Sequence, residues 1–167
     1  QKAEIIYDGT VYFCNKFLKK PDRTIDQMIQ AARSGKQNIA EASMAPATSK
    51  ETEIKLTNVA RASLEELLID YQDFFRTRKL KEWEKDHTYI NRLRELNRTP
   101  NANYETFKKG IENPNPEISA NVLAGLIKIA SYLLSHQIKR LEQDFIKEGG
   151  LREEMTKARI NYRKKGQ

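Results

Sequence analysis

The side chains in this sequence best suited to chemistry are cations. Arg152, Lys157, Arg159, Arg163, Lys164 and Lys165 crowd the C-terminal stretch, and Lys19 and Lys20 form a second, smaller group. Clustered Lys and Arg displace the counterions condensed on nucleic acid, so the chemistry they fit is phosphate binding. A solvated basic surface has the same composition, and both readings stand at this level. The net charge of +7 is placed unevenly. Residues 1 to 20 carry +2, residues 21 to 117 balance at sixteen against sixteen, residues 118 to 145 carry +1, and residues 146 to 167 carry +4. The excess therefore sits at the two ends of the chain. Lys19-Lys20 stands beside the start of a helix, where its charge opposes the positive end of the helix dipole; an external anion would relieve that.

Other chemistries fail on spacing. Ser34-Gly35-Lys36 is not a phosphate loop, because Gln30 and Gln37 stand where a Walker motif needs Gly and Ser or Thr, and the stretch reads as helix. Asn38 and Glu41 lie one turn apart beside an apolar face and lack the partner set of a catalytic carboxylate. They are expected to form a structural polar network with Arg33 and Ser63 that fixes helix register. Glu65, Glu66, Asp70 and Asp73 read as a solvated or subunit-facing side. His87 and His136 have no second His or Cys at ligand spacing, and the lone Cys14 rules out an internal disulfide and reads as a core thiol. The expectation is a protein with no catalytic residues, no metal site and no cofactor.

Helices must position these groups. Ile25, Met28, Ala32, Gly35, Ile39 and Ala42 recur at three and four, the repeat of one helix face. Thr24 with Gln27 has the form of a capping box, Pro46 ends the helix, and Thr48 with Glu51 makes a second box that restarts it. Leu56, Ala60, Ser63, Leu67, Tyr71 and Phe74 continue the pattern, so residues 49 to 79 predict a rod of about 46 Å packed antiparallel to its predecessor. Asp8 would cap a first, short helix that Lys19-Lys20-Pro21 ends. Between 80 and 117, Asp86 would cap a helix through Leu96, and a shorter turn from Tyr104 would stop at Gly110. Trp83, Tyr89 and Tyr104 could stack on bases or pack this segment on the rest. Asn115 and Pro116 open a long helix to Lys147 whose apolar arc, from Val122 to Phe145, is wider than one monomer core covers, which predicts a subunit interface. No apolar run approaches the roughly 18 residues of a membrane span, and no signal-peptide pattern is present, so the expectation is a cytoplasmic protein with no membrane partner. Gly149-Gly150 stops the long helix, and a basic helix follows from Leu151.

The run Arg33-Ser34-Gly35-Lys36-Gln37-Asn38-Ile39-Ala40-Glu41-Ala42, with Val59 to Leu67, resembles the four helix bundle protein family, although Ala42 stands where the family's Asn-Ile-Ala-Glu run has Gly. That family includes proteins encoded by intervening sequences in large-subunit ribosomal RNA genes and accessory variability determinants of diversity-generating retroelements. The likeness covers roughly residues 9 to 141 apart from the middle insertion. The run from Phe145 to Met155 with Ala158-Arg159 resembles the suffix segment of one branch. The resemblance implies an up-down four-helix bundle over 1–148, interrupted by an insertion at about 80–117 and followed by a suffix helix over 149–167. It further implies a ring, often of five subunits, that binds nucleic acid and associates with a nucleic-acid enzyme. The competing expectation is a protein-interaction scaffold whose charge is incidental.

Overall fold

The structure is a computed structural model that describes residues 1–19, 21–45 and 49–165, the side chains of Glu148, Leu151, Arg152, Glu154, Lys164 and Lys165 excepted. It is all helical: α1 (Lys2–Phe17), α2 (Arg23–Met44), α3 (Lys50–Arg78), α4 (Thr88–Arg98), α5 (Tyr104–Ile111), α6 (Pro116–Glu148) and α7 (Leu151–Lys165). α2 packs along α3, α3 along α6, and α1 against both α2 and α6, while α4 and α5 lie on α6 and α5 also touches α1.

Helix starts depart from the expected caps. Asp22, not Thr24, caps α2, its carboxylate accepting from Thr24 N–H at 2.9 Å. Ser49 caps α3 by accepting from Thr52 N–H, while Thr48 lies outside the described residues. His87 rather than Asp86 caps α4. Asp8 caps nothing, since α1 is helical from Lys2 and places Asp8 in its middle. α5 runs through Gly110 to Ile111, because Ile111 is fully buried and the missing Gly110 side chain admits Val122. Asn115 with Pro116 opens α6 as the sequence predicts, and Gly149 closes it at the predicted place, at φ +84° and ψ 177° rather than in the left-handed helical conformation that such a Gly-Gly stop implies.

The small-residue face of α2 does what its spacing implies. Ile25, Met28, Ala32, Gly35 and Ala42 are buried, and a Cβ on Gly35 would lie 2.9 Å from Leu64 Cδ2. Across the interior Phe13 meets Tyr71 at 5.0 Å and Phe74 at 4.9 Å between ring centroids. The Tyr71 hydroxyl donates to Thr10 Oγ1 at 3.2 Å, so the buried phenol is not left unpaired. Cys14 is buried beside Met28, and desolvation, aided by the charges of Asp70 and Asp22, pushes its thiol up to about 12.

The structure narrows one expectation about α6 and corrects another. Its apolar arc does not require a second subunit over its first half, because α4 and α5 cover it: a Cβ on Gly125 would lie 2.8 Å from Leu93 Cδ1 and 3.2 Å from Ile90 Cδ1. The helix is also long and apolar enough to cross a membrane by length and composition, with 61% of the relevant window buried against the rest of the chain. The segment before α4 is held by three side chains of α6: Glu117 accepts from Lys81 N–H at 3.0 Å, Lys128 pairs with Glu82 at 2.6 Å, and Asn121 lies buried between them. Buried Asn121 accepts from Trp83 N–H at 2.7 Å and donates to Lys81 C=O at 2.8 Å and to Glu117 C=O at 2.8 Å. Asn121→Ala is expected to lose about 2–3 kcal/mol of stability, because it strands buried backbone groups of the 81–83 segment. Thermal melting checks this, and Trp83 emission in the folded variant should shift to the red as the segment loosens.

Candidate nucleic-acid interface

The predicted cations fall at two separate places. Lys19 follows α1 at the end of the molecule where Phe13 meets Phe74 and where Asp22 feels the charge of Arg78. α7 starts at the other end, where a Cβ on Gly150 would lie 3.1 Å from Glu51 in the first turn of α3. The two groups are therefore separated by most of α3, about 43 Å for 29 residues. Lys20 lies outside the described residues. Lys19 is exposed and is joined at its end by exposed Arg78 and Lys79, which the sequence reading did not attach to it.

α7 is exposed at every side chain the structure describes, from Glu153 to Arg163. Lys157, Arg159 and Arg163 form no ion pair among the described residues. By register, positions 152, 159 and 163 share one face of the helix and positions 157 and 164 another, so the cations girdle it rather than form one stripe. Of the side chains of Arg152, Lys164 and Lys165 nothing is described. Elsewhere some cations are neutralised locally: Arg61, Arg76, Arg92 and Lys108 each pair with a carboxylate three or four residues away. Exposed Lys79, Lys81 and Lys85 likewise form no ion pair among the described residues, so it is the density of cations along one short helix, not availability alone, that sets α7 apart.

The polar network between α2 and α3 is smaller than predicted and centred on an unpredicted residue. Asn38 Nδ2 donates to Ser34 Oγ at 3.3 Å and to Ser34 C=O at 2.9 Å. The Ser34 and Ser63 hydroxyls lie 2.9 Å apart, and Ser63 Oγ donates to Val59 C=O at 3.0 Å. With Ser63 committed as donor, Ser34 donates to Ser63, and the chain runs from Asn38 through two hydroxyls to a backbone carbonyl. Such chains polarise one another and fix register. Arg33 and Glu41 are exposed and have no hydrogen bond in this network. Ser34 was legible only as a small residue beside the apolar face.

The acidic side of α3 is solvated at Glu65, Glu66 and Asp73 and half-buried at Asp70. Asp73 pairs with Arg76 and Glu65 with Arg61, both on the helix itself. Asp70 has its carboxyl pushed up, first by burial and then by the charges of Glu66 and Asp73. A cleft of about 310 Å³ lies between α1, α2 and α5, lined by Glu4, Asp8, Lys36, Asn103 and Tyr104 among others. Its carboxylates repel phosphate, and Lys36 is turned over the Tyr7 ring at 4.0 Å. Burial and the hydrogen bond to the Glu112 carboxylate hold Tyr104 well above the usual tyrosine range, so the phenol is a fixed donor. Among the described residues no three His, Cys, Asp or Glu side chains gather as metal ligands would.

Asp70 yields a pH prediction. Its folded-state pKa lies above the ordinary 3.8, so the native state holds the proton more tightly than the unfolded chain does. Its stabilising contribution is present below 3.8 and is lost as pH rises through the elevated value. Asp70→Asn should therefore melt higher than the parent at pH 7, and the difference should vanish below about pH 3.8. Thermal unfolding followed across pH reads both arms.

Comparison with protein-family models, with curated proteins and with solved structures finds no match.

Proposed function

We propose that this chain is a non-enzymatic, homo-oligomeric helical bundle that binds RNA or DNA through phosphate contacts, without base-specific readout, as an accessory to a nucleic-acid enzyme in the cytoplasm. The observation that carries the reading is the state of α7, whose Lys157, Arg159 and Arg163 project into solvent without a counter-ion among the described residues. Unpaired cations on an exposed helix neutralise phosphates at little desolvation cost, and each released counterion strengthens binding at low salt.

In this reading α1, α2, α3 and α6 form an up-down four-helix bundle, with α4 and α5 as the insertion and α7 as the suffix helix. Two features support it: each of the four helices packs on two of the others, and the sequence resembles the four helix bundle protein family. Copies would meet along the second half of α6, where Tyr132 and Leu133 are 62% and 42% exposed beyond the cover of α4 and α5. A ring would multiply the α7 patches and turn weak contacts into avidity.

A second reading, a protein-interaction scaffold, is favoured by a different observation. Met155, Ile160 and Tyr162 on α7 are 52%, 47% and 83% exposed, apolar surface that a protein groove would cover.

Mobility shifts of single- and double-stranded RNA and DNA across a salt series separate the two. The full chain should bind with steep salt dependence. The full-length triple variant Lys157→Ala/Arg159→Ala/Arg163→Ala should flatten the slope of log affinity against log salt by about 2 to 3. Absence of binding at about 0.15 M salt, or a triple variant that binds like the parent, transfers the proposal to the scaffold. Light scattering tests assembly: the parent should show a multiple of the 19.4 kDa chain mass, and Tyr132→Glu/Leu133→Glu should reduce it to one.

A further inference from the structure

The segment that joins α3 to α4 carries three aromatic rings that the packing of the core does not by itself explain. Trp83 is buried and lies with the core residues on one side. On its other side the His87 ring lies 4.7 Å away at an interplanar angle of 4°, and the Tyr89 ring 5.1 Å away at 26°. The centroids of His87 and Tyr89 are only 5.6 Å apart. Rings on opposite faces of an indole would stand about 7 Å apart or more, twice the contact distance of about 3.5 Å between carbon atoms. His87 and Tyr89 therefore lie side by side on one indole face, tilted 31° from each other. Tyr89 is 59% exposed, and His87 is half-buried.

The pavement is fixed before any ligand arrives. Asn121 holds the backbone of Lys81 and Trp83, and His87 Nδ1 accepts from Tyr89 N–H at 3.3 Å, which orients the imidazole plane as the cap of α4. Aromatic rings held in place at the surface can stack on any nucleobase, because each base has a π-face of its own. The surrounding charge admits the backbone that carries such a base. Lys79, Lys81 and Lys85 are exposed and have no ion pair among the described residues, whereas Glu82 is already occupied by Lys128 at 2.6 Å. Glu84 and Asp86 share the turn and offset part of that attraction. Lys19 stands at the same end of the molecule.

We infer that His87 and Tyr89, laid over Trp83, form a stacking platform for an unpaired nucleobase of single-stranded RNA or DNA, separate from the cations of α7. The inference rests on the nucleic-acid reading above and names a second contact within it. Because Glu84 and Asp86 blunt the local field, the platform acts by stacking, and its contribution varies little with salt, unlike that of α7.

Trp83 is the one tryptophan of the chain and reports on the site without substitution. Adding single-stranded oligo-dA to the full chain should change its emission, and an abasic strand of equal length should not. Tyr89→Ala should lose roughly ten-fold in affinity for oligo-dA, by a similar factor at low and at moderate salt, with Tyr89→Phe close to the parent. Equal Trp83 responses to the base-bearing and abasic strands overturn the platform, as does a Tyr89→Ala that binds oligo-dA like the parent. If those results come while the triple α7 variant still loses binding, the platform falls and the nucleic-acid reading stands. If the full chain binds no strand even at low salt, both fall.

Discussion

Residues 119 to 127 of α6 are buried without a break, two and a half turns in which no side of the helix faces solvent. A helix apolar around its whole circumference can exist in water only if something packs against every side of it. α3 takes one side and α1 another, where Gly9 lets Leu123 approach so closely that a Cβ would lie 2.5 Å from it. Two helices cannot close the circle, and α4 and α5 complete it. Burying Leu123, Leu126 and Ile127 contributes about 1.5–3 kcal/mol each, so the connection between α3 and α6 is a structural necessity rather than an ornament. The polar members of the stretch are satisfied in the same act: Ser119 donates to Ile111 C=O at 2.5 Å, and Asn121 binds the incoming chain. A length of chain that reads as an insertion against a bundle pattern is thus the wall of the core.

That cover stops halfway along α6. Past Ala130 the buried positions are Leu134, Ile138 and Leu141 alone, the narrow stripe of a helix packed on one side. α1 ends before this half, which leaves α2, α3 and α6 to continue without it, and the exposed apolar residues Met44, Tyr132 and Leu133 belong to these later turns. The turns of α6 that are walled in on every side and those packed along one stripe are therefore successive stretches of one long helix. α7 leaves from the second half, where few side chains are committed to the core.

The sequence made helical faces legible because they are written in one local period. The α2 face from Ile25 to Ala42 and the α3 face from Ala60 to Phe74 needed no knowledge of the partner. What a helix packs against is not local. The width of the α6 arc was visible, but a wide arc is equally consistent with a second subunit or with a neighbouring segment of the same chain. α4 and α5 are short amphipathic helices, and an amphipathic face does not name the surface it covers, so they could not decide between them. The polar residues that matter most were hidden for a related reason. Asn121 and Ser34 look like neutral interruptions of an apolar pattern, and their value lies in groups tens of residues away, Trp83 N–H and Ser63 Oγ. Arg33 and Glu41 erred the other way, since a charged side chain beside an apolar stripe is as well served by water as by a network. The distribution of charge was legible, yet its distance was not: only the course of α3 sets Lys19 and α7 apart.

That distance constrains what the two ends can do together. A duplex rises about 3.4 Å per base pair, so a ligand that spans the roughly 43 Å of α3 needs on the order of a dozen base pairs. On the proposed reading, shorter ligands would meet one end at a time and feel one kind of force, salt-sensitive attraction at α7 or stacking near Tyr89. A duplex would offer phosphates to α7 but keep its bases paired, and so would engage the two ends unequally. A strand with a paired part and an unpaired part would satisfy both. Once one end was bound, the other would see its share of the strand at an effective concentration set by the intervening length. The proposed reading therefore favours ligands with a junction between paired and single-stranded segments over uniform ones, by linkage rather than by any sequence-reading side chain.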